Sequence, residues 1–146
     1  MERDSERIIK EEDLSSLISE ADTVFSRYIR MAAADNTGIA SCYTCETKKH
    51  FSLLECGHYM KRGNLFLRFD ERNCRPQCKM CNHNQSTDGE KLKFTQRLES
   101  EHPGITDILR EEATLVYKPT REELRGIITE YTAKLKVEKK RLNILK

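Results

Sequence analysis

Two cysteine pairs set the tightest limit on how this chain can fold. Cys42-Tyr-Thr-Cys45 and Cys78-Lys-Met-Cys81 each show the C-x2-C spacing, and 32 residues lie between them. A two-residue spacer lets a tight turn aim both thiolates at one ion, and two such turns complete the tetrahedral sulfur set that zinc prefers. The stretch between the pairs is longer than in a simple zinc ribbon, so a substantial structure is inserted between the two knuckles. Thioredoxin-like redox chemistry would need one pair on a βαβ scaffold, and no such pattern is present. The expected zinc is structural, because four cysteines leave no open position for water or substrate. The two other cysteines, Cys56 and Cys74, read as small packing residues.

Composition agrees with a fold that needs a staple. Charged residues make up 34% of the 146, hydrophobic ones 37%, and there is no Trp, so the apolar core must be modest. No apolar run approaches the ~20 residues that cross a bilayer. The start, Met1-Glu2-Arg3-Asp4, lacks the apolar segment of a signal peptide. A soluble, cytoplasmic protein is expected, and in a reducing compartment paired cysteines favour metal over disulfides.

Helical periodicity flanks the cysteine-rich stretch on both sides. From Leu14 to Met31 the apolar residues Leu14, Leu17, Ile18, Ala21, Val24, Phe25, Tyr28 and Ile29 share one stripe, and Asp35-Asn36-Thr37-Gly38 reads as its stop. Leu92, Phe94 and Leu98 carry a second helix ending before Pro103-Gly104, and a short one follows around Ile105 to Val116. Thr120 and Glu123 form a capping-box pattern opening the last helix, with Leu124, Ile128, Tyr131, Leu135 and Leu142 along its face. The terminal stripes can pack within the chain or form a homodimer seam. Between the helical regions Phe51-Leu54 and Leu65-Phe69 read as short β segments. The organisation expected is therefore a helical segment at 1–38, a zinc-stapled unit at 39–89 and a helical region at 90–146.

The stretch between and after the knuckles contains Gly57-His58-Tyr59, then Leu67-Arg68-Phe69-Asp70-Glu71-Arg72-Asn73, then Gln77-Cys78 through Cys81-Asn82-His83. This arrangement resembles the zinc-stapled HNH nucleases. In those enzymes a histidine ends the first strand of a ββα hairpin, an asparagine lies five residues before the second C-x2-C pair, and a metal ligand follows the last cysteine. His58, Asn73 and Asn82 stand in these places, and Asn in the last one resembles the endonuclease VII branch. The longer stretch is similar to the phage NinG (Rap) recombination family, and the likeness extends to Ala32–Cys45 and Leu124–Leu135. It implies an α+β fold, a small ββα-metal, treble-clef-like zinc core flanked by helices. It also implies endonuclease activity on branched or recombining DNA, such as Holliday junctions or D-loops, in the host bacterial cytoplasm.

The residue types suit that chemistry. Phosphodiester hydrolysis needs water deprotonated near neutral pH, which a positioned histidine can do, and a hard divalent cation beside the phosphate. The expected roles are His58 as general base, Asn73 as the loop pin that orients the imidazole, and Asn82 as a carbonyl ligand of Mg2+ or Mn2+, with His83 a further ligand. Many HNH enzymes place an acid or histidine directly before the base; here that residue is Gly57, leaving His83, Glu71, Asp70, Cys56 or His58 itself to complete the metal site. His50 and His102 fall outside the pattern and read as surface residues.

Residues 1–36 carry 5 basic and 9 acidic side chains, whereas residues 37–97 carry 11 and 6. Within the basic region Lys61, Arg62, Arg68, Arg72, Arg75 and Lys79 are the expected phosphate contacts, with Arg62 nearest the cut. Two other readings remain open at this point: a non-catalytic zinc module that binds DNA, and a protein-interaction module of treble-clef type.

Overall fold

The computed structural model describes residues 2–144, with side chains from residue 13 onward. The chain opens with helix α1 (Glu2–Ala32), which begins well before the first apolar stripe residue. Strands β1 (Ile39–Ser41) and β2 (Lys48–His50) form one antiparallel pair, β3 (Glu55–His58) and β4 (Cys74–Gln77) another. Helices α2 (Lys79–His83), α3 (Asp88–Glu101), α4 (Ile105–Glu112) and α5 (Arg121–Arg141) complete a mixed α and β architecture.

Local chemistry explains where α1 stops. The Asp35 carboxylate accepts from the backbone N–H groups of Thr37 and Ile39, at 2.9 and 3.1 Å, and Gly38 takes a φ of +85° that few other residues tolerate. The chain thereby turns directly into β1. At the other end, Thr120 and Glu123 make the reciprocal capping box expected for α5.

The two terminal stripes meet each other inside the chain. Ala21, Phe25 and Ile29 of α1 and Leu124, Tyr131 and Leu135 of α5 are buried. Phe25 stands edge-on to Tyr131 with ring centroids 4.9 Å apart, and Tyr28 adds a tilted contact at 5.3 Å. The remaining core lies in two further clusters. One gathers Met31, Ala40, Phe51, Leu54 and Leu135 around Cys42, Cys78 and Cys81. The other joins Tyr43, Tyr59 and Leu67 to Phe94, Leu98 and Leu109 of α3 and α4.

Both segments read as β from their composition are turns. Phe51–Leu53 is a 3-10 turn whose start is capped by the His50 side chain, which accepts from Ser52 N–H. Residues 65–69 are turns because Asn64 Oδ1 accepts from Leu67 N–H at 3.1 Å and Asp70 N–H bonds back to the Leu67 carbonyl at 3.2 Å. Side-chain bonds to the backbone have outcompeted a ladder. The true strands are less apolar, and β3 and β4 are recognisable only from their pairing: Glu55 with Gln77, Cys56 with Pro76, Gly57 with Arg75 and His58 with Cys74. Helix α4 ends at Glu112, four residues short of the expected Val116. No helix among the described residues is long and apolar enough to cross a membrane.

Candidate metal centre and adjoining cavity

The turn joining β1 to β2 carries Cys42 and Cys45, and the start of α2 carries Cys78 and Cys81. These elements bring the four Sγ atoms within 4.8 Å of one another. Cys45 Sγ and Cys78 Sγ are 3.8 Å apart, the spacing expected when two thiolates share a tetrahedral zinc with bonds of about 2.3 Å. Burial works to raise the Cys42 thiol, but hydrogen bonds from Cys45, Cys78 and Thr44 bring it down to about 6. Burial pushes the Cys78 and Cys81 thiols the other way, so Cys42 is the one of these three thiols that loses its proton most readily, as metal capture requires. Thr44 Oγ1 lies 3.6 Å from Cys42 Sγ, Thr47 Oγ1 lies 3.1 Å from Cys45 Sγ, and Gln77 Nε2 donates to Thr44 Oγ1 at 3.1 Å. The four cysteines can therefore hold a structural metal such as zinc, supported by an outer shell of hydroxyls.

Beside this centre, β3, β4 and α2 form a strand–strand–helix unit, with a loop between the strands that Asn73 organises. Asn73 is fully buried. Its Oδ1 accepts from Met60 N–H at 2.8 Å, and its Nδ2 donates to the carbonyls of Met60 and Leu67 at 3.0 and 3.2 Å. The side chain is a loop pin, as its residue type suggests. It does not reach the imidazole. His58 at the end of β3 is instead anchored through Nε2, which donates to the Arg68 carbonyl at 3.0 Å. A carbonyl can only accept, so the neutral ring carries its proton on Nε2 and its lone pair on Nδ1. Burial is the largest influence on His58 and lowers its pKa below 6.5, against the opposing pull of the Arg68 carbonyl. The ring is uncharged at neutral pH.

A cavity of about 980 Å³ opens between α1 and this unit, lined by His58, Asn82, His83, Lys61 and Arg62 together with Glu55. Asn82 Nδ2 donates to Glu55 Oε1 at 2.8 Å. The structure also shows why position 57 carries no side chain: a Cβ on Gly57 would lie 1.9 Å from Gln77 Oε1. Glu71 and Asp70 face elsewhere. Glu71 is held at 2.9 Å by both Tyr131 and Lys134, and Asp70 caps the turn at residues 71–73 and pairs with Arg72. His83 and Cys56 remain at the cavity, and Glu55 joins them as the carboxylate that sequence reasoning missed. Its signal was modest, an acid three residues before His58.

The six basic residues separate by surroundings. Lys61 and Arg62 line the cavity, and the Arg62 side chain keeps 65% of its surface exposed although it pairs with Asp22. Arg68 is 14% exposed and is locked onto Asp22 through both Nε and Nη2. Arg72 is shared between Asp70 and Glu112. Arg75 covers the Tyr43 ring at 5.3 Å and donates to the Glu71 carbonyl at 2.8 Å. Lys79 is exposed at the start of α2. Arg30 and Lys91, absent from the sequence reading, also line the cavity.

Asp22 thus ties α1 to the segment that anchors His58. Burial works to raise its carboxyl, but hydrogen bonds from Arg68 and Arg62 outweigh this and hold it below the ordinary 3.8. A carboxyl with a depressed folded-state pKa contributes stability above its unfolded value and loses it as pH falls through the folded one. Asp22→Asn is therefore expected to cost about 2 kcal/mol at pH 7, and the gap from the parent should close below about pH 3.8. Urea unfolding across that range checks this; a gap that does not change with pH would refute it.

Fold and site together define a small mixed α and β protein with a cysteine centre able to hold a structural metal. Residues 1–141 match the family described as Bacteriophage Lambda NinG protein, and the chain belongs to that family. Comparison with curated proteins and with solved structures gave no match.

Proposed function

We propose that this protein is a metal-dependent endonuclease that hydrolyses phosphodiester bonds in branched or recombining DNA. The observation that carries the reading is the meeting of His58, Asn82 and Glu55 at one cavity flanked by Lys61 and Arg62. Membership of the NinG family, together with the resemblance to HNH enzymes of the endonuclease VII branch, supports the choice of substrate.

His58 Nδ1 takes the proton of the attacking water, while the Nε2–H bond to Arg68 keeps the ring in register. Asn73 holds the loop that supplies that carbonyl. Lys61 and Arg62 bind backbone phosphates on either side of the cut. Glu55 and Asn82 fit a hard cation. Glu55 Oε1 and the Asn82 amide lie 2.8 Å apart, so a carboxylate and an amide could face one hard cation together. Rotating the amide by half a turn would exchange its nitrogen for Oδ1. When bound there, Mg2+ or Mn2+ supplies positive charge for the developing phosphate charge.

The test is cleavage of a labelled four-way junction beside its linear duplex control. With protein carrying one zinc per chain and supplied with Mg2+ or Mn2+, junction cutting is expected to be stopped by EDTA and restored by excess Mg2+. His58→Ala should lower the rate about 10²–10⁴-fold, and His50→Ala should leave it unchanged. Equal cutting of both substrates would keep the nuclease and remove the preference for branches. Salt-sensitive DNA binding without cutting would replace the enzyme with a non-catalytic binding module.

A further inference from the structure

Cys56 and Cys74, read from sequence as packing residues, meet His58 in the structure. Cys56 and His58 are two residues apart on β3 and so project from the same face of the strand. Cys74 begins β4 directly opposite His58 in the antiparallel register. The result is a cluster of two sulfurs and one imidazole nitrogen whose ligand atoms all lie within 4.8 Å of one another. All six cysteines are free thiols.

The surroundings favour coordination. Cys74 is 1% exposed and packs among Phe25, Ile29 and Tyr131, whereas Cys56 and His58 both line the cavity between α1 and the strand–strand–helix unit. Three ligands therefore converge with one side of the cluster open to the cavity. His58 already donates its Nε2–H to a backbone carbonyl. Metal-bound histidines are commonly oriented by such a bond, and the Cys74 sulfur lies 3.9 Å from the same Arg68 carbonyl.

We propose that Cys56, His58 and Cys74 form a second metal site, selective for a soft divalent cation such as Zn2+ and distinct from the four-cysteine centre. Two thiolates and an imidazole suit zinc and are poor ligands for magnesium, which takes oxygen. Three protein ligands leave a fourth position for water, in contrast to the closed four-cysteine sphere. Occupancy would also engage the His58 lone pair. On the nuclease reading this makes zinc at the second site an inhibitor, because the same lone pair serves as general base; the binding of the ion does not depend on that reading.

The test counts metal in the full chain, reduced with a phosphine, at buffered free Zn2+. The expected result is two zinc ions per wild-type chain and one per chain for Cys56→Ser and for His58→Gln, each with the wild-type circular dichroism spectrum. Cobalt substitution should give a second set of visible absorption bands in the wild type that both variants lack. One ion per wild-type chain at every free zinc level overturns the site, as does a second ion that both variants retain. In a parallel cleavage assay, with each protein compared with its own zinc-free rate, free zinc should inhibit the wild type at lower concentration than Cys56→Ser. Zinc counting decides the site even if no cleavage is seen, so loss of the nuclease reading and loss of the metal site give different results.

Discussion

Cys81→Ser is expected to abolish the native structure of the cysteine-rich unit. Cys81 is 3% exposed, and its sulfur lies with those of Cys42, Cys45 and Cys78 at a spacing suited to one zinc. Structural zinc contributes about 10–16 kcal/mol of apparent binding free energy at neutral pH, comparable to or larger than the ~5–15 kcal/mol that stabilises a typical domain. The packing shows how far the loss would spread. Met31 at the end of α1 and Leu135 of α5 share a cluster with Cys42, Cys78, Cys81, Phe51 and Leu54. Without the metal, the strands lose their staple and the terminal helices lose that part of their contact, although Phe25 and Tyr131 can still hold the helices together. The signature is a chain that keeps much of its helical circular dichroism but shows collapsed amide dispersion for residues 39–83. Loss of bound zinc should accompany it. A Cys81→Ser protein with wild-type melting behaviour would refute the structural role.

The second large effect is expected at Asn73. Truncation to alanine strands Met60 N–H and the carbonyls of Met60 and Leu67. Leaving a buried polar group unpaired costs about 1–3 kcal/mol, so Asn73→Ala should lose about 3–5 kcal/mol after partial relaxation. Asn73→Asp cannot restore the arrangement, because the carboxylate would face two carbonyl oxygens and has no N–H to offer them. The damage reaches His58 indirectly. The loop that Asn73 pins at Leu67 also carries the Arg68 carbonyl that fixes the imidazole. Urea unfolding gives the energy, and the His58 ring nitrogen resonances report whether the single tautomer survives. A stability change under ~1 kcal/mol with an undisturbed His58 would remove Asn73 from this role.

How much of this was legible in the sequence depended on the range of the interactions involved. The C-x2-C spacing and the capping box at Thr120 and Glu123 are local, and both lead to the arrangement found in the structure. The helical stripes were also visible, but whether they served a core or a partner was decided by the meeting of Phe25 with Tyr131, more than a hundred residues away. Leu65–Phe69 has the apolar character of a strand and was misread because Asn64 and Asp70 close it with local bonds. Proximity in sequence also grouped six basic residues that the fold separates: Asp22 holds Arg68 from 46 positions away, and Glu112 holds Arg72 from 40. Glu55 could be placed beside Asn82 only once β3 lay against α2.

Gln77 ties two parts of the molecule that a residue-by-residue reading keeps apart. Its amide nitrogen reaches the hydroxyl beside Cys42, and its oxygen occupies the space next to Gly57, with no hydrogen-bond partner among the described residues. Positions 57 and 77 are therefore sterically coupled. An acidic side chain can enter the strand before the histidine only if the Gln77 side chain moves or is shortened, and either change would disturb its bond to the hydroxyl beside Cys42. The absence of a carboxylate at position 57 is then a structural trade, in which the space for a ligand has been given to a brace, with Glu55 left as the nearby acid of the cavity.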